Sequence, residues 1–84
     1  MIVIDSRTLL PIPDACIVVG TTTCDPTRPH TDASGRWSVD IPMSTSTTNW
    51  DMGFLKAGYF TQWRTFTLQQ GRTALFEIRL VRIR

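Results

Sequence analysis

Beyond Gly35 the apolar residues fall at Trp37, Val39 and Ile41, with Ser38 and Asp40 between them, the period of two expected of a strand with one buried face. Pro42 ends that run. Ahead of it, Asp32-Ala33-Ser34-Gly35 is a turn sequence: the Asp32 carboxylate accepts nearby backbone amides, and Gly35 tolerates the positive φ that closes a hairpin. The same alternation recurs at Trp50, Met52 and Phe54. It returns near the C-terminus, where Phe76, Ile78 and Leu80 share one face of a strand over 74–84, and Leu75, Glu77, Arg79, Val81 and Ile83 share the other.

Between these runs the chain is punctuated by turn and breaker residues. Ile2, Val3 and Ile4 form a first strand, ended by Asp5-Ser6-Arg7-Thr8. Pro11 and Pro13 exclude both helix and central strand, so residues 9–14 read as an extended crossover. Residues 15–19 are apolar on both faces, a strand that is either central or covered from outside the domain. Residues 20–30 read as a polar loop with a short strand at Thr21-Thr22-Thr23, and the hydroxyl-rich residues 43–49 as a solvated loop. Lys56-Ala57-Gly58-Tyr59-Phe60 forms a corner in which Gly58 takes a backbone conformation other residues resist; Tyr59 lays its ring on the core and sends its hydroxyl to the backbone. A threonine-rich strand over 61–68, containing Trp63 and Phe66, and a turn at Gln69-Gln70-Gly71-Arg72 lead to the last strand. The prediction is an all-β, antiparallel β-sandwich of about seven strands, one domain over residues 1–84, with no useful helical period.

Composition supports this: thirteen threonines and eighteen Ile, Val and Leu residues favour strand over helix. No apolar run is long enough to span a membrane as a helix, and Met1-Ile2-Val3-Ile4-Asp5 lacks the charged and apolar regions of a signal peptide, so cytoplasmic synthesis is expected. Net charge is +2 but unevenly placed. Residues 1–53 carry three arginines against six aspartates, whereas residues 54–84 carry Lys56 and five arginines against Glu77. Interleaving of strands makes this a weak argument for nucleic acid, and none is expected as a partner.

Chemistry is sparse. His30, the single histidine, lies in a proline-flanked loop away from any sequence signature of a nucleophile, so no catalytic residue is assigned. Asp32-Ala33-Ser34-Gly35 lacks the acidic density of a calcium loop, and no phosphate-cradling glycine loop is present. Cys16 and Cys24, if both lie along one extended segment, are eight steps of about 3.3 Å apart. That exceeds the roughly 7 Å Cα limit for a disulfide, which predicts free thiols. With neither a CxxC spacing nor a Cys/His cluster in sequence, no metal and no cofactor is assigned.

The succession Asp5…Thr8…Pro11-Ile12-Pro13-Asp14-Ala15-Cys16-Ile17-Val18-Val19, Thr31-Asp32-Ala33-Ser34-Gly35-Arg36-Trp37-Ser38-Val39, Lys56-Ala57-Gly58-Tyr59 and Ile78-Arg79-Leu80 resembles the carboxypeptidase regulatory-like domain, a transthyretin-like (prealbumin-like) β-sandwich. The resemblance implies a non-catalytic module of the kind attached to enzymes, secreted proteins, outer-membrane receptors and phage or secretion-spike components. Two functions are then weighed. One is a structural module in a larger assembly, a small virion component such as a capsid decoration or tail-associated protein; it contacts other protein subunits, or further copies of itself, through Trp63, Arg79, Val81, Arg82 and Arg84. The other is a carbohydrate- or cell-surface-binding module using exposed tryptophan, with Trp37 and Trp50 expected in the core and Trp63 the candidate. Asp32, Gly35, Gly58 and Tyr59 are expected to be structural turn residues.

Overall fold

The computed structural model describes residues 1–20, 23–39, 44–73 and 75–83. Among these residues all regular structure is β: β1 (Ile2–Asp5), β2 (Cys16–Val19), β3 (Thr47–Leu55), β4 (Gln62–Gln69) and β5 (Glu77–Leu80). The expected strands at 21–23 and beyond Asp40, the stop at Pro42, the start of the last strand at Ala74 and the proposed contact Arg84 fall wholly or partly outside the described residues.

β2, β3 and β4 form an antiparallel meander in that order, with Ile17 opposite Phe54 and Trp50 opposite Phe66. β1 and β5 pair in parallel, Val3 opposite Ile78 and Asp5 opposite Leu80. This pairing corrects the expectation of a wholly antiparallel sandwich, because the chain crosses from one sheet to the other and back before β5 is laid down beside β1. Alternation then decides the packing: Val3, Ile78 and Leu80 from the small sheet share one buried cluster with Ile17, Met52, Phe54 and Phe66 from the large one. Phe66 stands edge-on to Phe54 at 6.3 Å between centroids and packs on Phe76 at 4.3 Å. Among the described residues no helix is long and apolar enough to cross a membrane.

Five strands are seen among the described residues, against about seven expected, and further pairing takes the form of isolated bridges: Ile2 with Arg36, Ile4 with Pro11, Cys16 with His30 and Tyr59 with Arg82. Residues 37–39, expected to lead a strand, are outside any strand; Trp37 still packs against the core, tied by its amide to the Met1 carbonyl at 3.1 Å. The loop expected over 43–49 is shorter than its composition suggests, since Thr47, Thr48 and Asn49 join β3 opposite Gln69, Leu68 and Thr67. The chain turns after Asp32, but among the described residues no strand flanks the turn as the expected hairpin required. Asp32 Oδ1 accepts the amides of Ser34 at 2.8 Å and Arg36 at 2.9 Å, and Gly35 has φ +72°. A Cβ there would stand 2.7 Å from the Val3 carbonyl oxygen, so the turn needs glycine for space as well as for φ.

Candidate functional site

β2 was expected to be central or covered from outside, and the chain itself supplies the cover. β3 flanks one edge, and on the other the Ile17 amide bonds the Pro29 carbonyl while the Thr31 amide bonds the Ala15 carbonyl, each at 2.9 Å. Thr31 is buried and its hydroxyl joins both sides, donating to the Ile12 carbonyl and accepting the Ala15 amide at 2.8 Å each. These bonds flank the Cys16–His30 pair without linking it, the register in which opposed side chains come closest.

Cys24 completes this corner, and here the expectation of free thiols is overturned: Cys16 and Cys24 form a disulfide with their Cα atoms 6.3 Å apart. The distance argument assumed one extended segment. Instead the chain turns at Gly20, φ +70°, and returns alongside β2. His30 Nε2 lies 3.6 Å from Cys24 Sγ, and His30 Nδ1 lies 2.8 Å from the Arg28 carbonyl. The loop between is held by Asp25, whose Oδ1 accepts both the amide and the hydroxyl of Thr27. No spacing signature announced this cluster; it depends on the cross-strand register.

A second cluster joins the corner after β3 to the chain beyond β5. The Phe60 amide bonds the Val81 carbonyl at 2.9 Å and the Ile83 amide bonds the Gly58 carbonyl at 2.8 Å, which sets Tyr59 beside Arg82. Gly58 has φ +88° with open space around it, so this turn needs glycine for conformation alone. The Tyr59 hydroxyl reaches a carboxylate rather than the backbone: it donates to Asp5 Oδ2 at 2.7 Å, and Arg82 Nη2 donates to the same oxygen at 3.1 Å. Asp5 Oδ1 accepts the amides of Arg7 and Thr8 at 2.8 and 3.0 Å. The Tyr59 hydroxyl first, then these two amides and the Arg82 charge, hold the Asp5 carboxyl far below the usual carboxylate range against the opposing effect of burial. The Arg82 guanidinium also lies 5.6 Å from the Tyr59 ring centroid.

Of the residues read from sequence as partner contacts, Arg82 is thus engaged within the chain. Arg79 is exposed and paired with Glu77 at 2.9 Å. Val81 is 50% exposed, beside Phe60 at 58% and Ile83 at 47%. Trp63 stands apart on the outer face of the large sheet, 43% exposed, with its ring over Gly53 next to Val18. Farther along that face Thr65 donates to Asp51 at 2.5 Å and Thr67 to Asn49 at 2.9 Å. Trp37 and Trp50 both pack against the core. A hollow of about 550 Å³ opens between the sheets, with Met52, Phe66, Leu68 and Phe76 in its lining; its rim residues Val39, Thr73 and Leu75 are chain neighbours of residues outside the description, and no ligand is assigned to it.

Comparison with protein-family models, with curated proteins and with solved structures finds no match for this chain. The likeness to carboxypeptidase regulatory-like domains therefore rests on the short motifs themselves.

Proposed function

We propose that the chain is a non-catalytic interaction module, built into a larger assembly through the outward face of β5 and the segments flanking it. The supporting observation is the split character of this stretch. Ile78 and Leu80 enter the core, while Glu77, Arg79, Val81 and Ile83 are exposed, with Leu75 ahead of them and Phe60 laid beside Val81. An apolar strip rimmed by paired charges on a domain this small is surface of the kind that protein partners cover. Arg79 is the arginine on this face that suits an acidic group of a partner; Arg84, a contact expected from sequence, lies outside the described residues. The fold we read for the module is a transthyretin-like sandwich in which the Arg36, His30 and Tyr59–Arg82 bridges stand for shortened strands. The finer reading, a capsid decoration or tail-associated virion protein that contacts other subunits or copies of itself, is supported by the sequence resemblance alone.

The test is co-sedimentation of the purified chain with particles from its own source, comparing the native chain with a Phe60→Ser/Val81→Ser double variant. The expected result is incorporation that the double variant loses while its circular dichroism spectrum is unchanged. Point substitutions are needed because deleting residues 81–84 would also remove Arg82 from Asp5. The carbohydrate reading is favoured by the exposed Trp63 and weakened by the packing of Trp37 and Trp50, which leaves no second exposed tryptophan for a platform. Saturable glycan binding lost in Trp63→Ala, by a monomer that enters no particle, would replace the assembly reading with this one.

A further inference from the structure

We propose that Cys16, Cys24 and His30 form a redox-gated metal site: a disulfide in an oxidising compartment and, once reduced, a three-ligand centre for Zn²⁺. The ligand atoms of the three side chains all lie within 4.8 Å of one another. Zn–S and Zn–N bonds of about 2.3 and 2.0–2.1 Å at the tetrahedral angle require a sulfur-to-nitrogen separation of about 3.6 Å. His30 Nε2 is already 3.6 Å from Cys24 Sγ.

The tautomer is also set. A carbonyl oxygen only accepts, so the 2.8 Å contact between His30 Nδ1 and the Arg28 carbonyl places a proton on Nδ1, and in the neutral ring the Nε2 lone pair then faces Cys24 Sγ. A backbone carbonyl on the remote nitrogen is the outer support that metal-binding imidazoles use. In the disulfide form the Ala15–Thr31 and Ile17–Pro29 hydrogen bonds, neither of which involves a sulfur, hold His30 opposite Cys16. Cys16 is buried on the sheet, whereas Cys24 and His30 lie on the partly open side, which gives a reductant and then an ion their access.

The steps balance as follows. An external dithiol gives two electrons and two protons: its own sulfurs join, the Cys16–Cys24 bond opens, and two thiols form. Zn²⁺ then displaces those two protons and takes both thiolates and Nε2 as ligands, leaving a fourth position for water. Two sulfurs and one nitrogen select a thiophilic tetrahedral ion over Mg²⁺ or Ca²⁺.

The test reads zinc stoichiometry with a competing chromophoric chelator on the whole chain, oxidised and after reduction by a dithiol that is then removed anaerobically. Co²⁺ serves as a parallel probe for tetrahedral thiolate coordination, and circular dichroism follows folding in each sample. One Zn²⁺ per reduced chain, none per oxidised chain, a cobalt–thiolate spectrum and at least a tenfold loss of affinity in His30→Ala are expected, since even outer-shell partners are worth about 10–100-fold. Cys24→Ser, which lacks the disulfide without any reductant, is expected to lose the site as well. Failure of native disulfide reduction, a folded reduced chain that takes no zinc, binding unchanged in His30→Ala, or a reduced chain that unfolds and is not restored by zinc would each overturn the proposal.

Discussion

At the scale of single residues, two glycines are fixed by different contacts. Gly35 combines positive φ with a would-be Cβ 2.7 Å from a backbone oxygen, whereas Gly53 is crowded only by side chains, the Trp63 ring and a Val18 methyl at 2.9 Å. Gly35→Val is therefore expected to lower stability by about 1–3 kcal/mol, measured as a shift of the urea midpoint. Gly58→Ala, strained by conformation alone, is expected to cost about 1–2 kcal/mol. Gly53→Ala is expected to cost about 1–3 kcal/mol through overpacking, and Trp63→Ala in the same chain should remove part of that cost, the Val18 methyl accounting for the rest; strictly additive losses would show that the ring does not exclude a side chain there. Gly35 and Gly58 were legible in sequence because each sits among turn residues. Gly53 was not, since it interrupts an alternating strand and its reason lies across the sheet.

Between elements, the Asp5–Tyr59–Arg82 cluster ties β1 to the corner after β3 and to the segment beyond β5. Asp5 is depressed when folded, so its contribution to stability is complete above its unfolded value of about 3.9 and declines as pH falls below it toward the folded value. The native chain is accordingly expected to lose stability more steeply than Asp5→Asn between about pH 4 and pH 2, in urea titrations at stepped pH. Parallel slopes would assign the acid response to other carboxylates. Tyr59→Phe, which removes the largest single cause of the depression, should move the slope in the same direction as Asp5→Asn. Sequence showed the strand cores at Ile17, Phe54 and Ile78 and the corner at Tyr59, because two-residue alternation and turn chemistry are local. It did not show that Tyr59 and Arg82 meet over Asp5, or that Arg36 makes one bridge instead of opening a strand, because pairing distant in sequence leaves no local mark.

For the molecule as a whole, the failed expectation of free thiols has one cause: a distance computed along an extended chain says nothing once the chain bends back beside β2. Closing the loop between Cys16 and Cys24 is expected to contribute about 2–3 kcal/mol by restricting the unfolded chain, read as the difference in urea midpoint between the oxidised and the reduced, metal-free protein. The parallel register of β1 with β5 bears on the order of folding. Ile2 pairs with Glu77 across most of the chain, whereas each strand of the β2–β3–β4 meander pairs with the next. The small sheet closes the longer loop and is expected to form after the meander, and a chain cut short before β5 would leave Val3 and Ile4 without the neighbour that covers that edge.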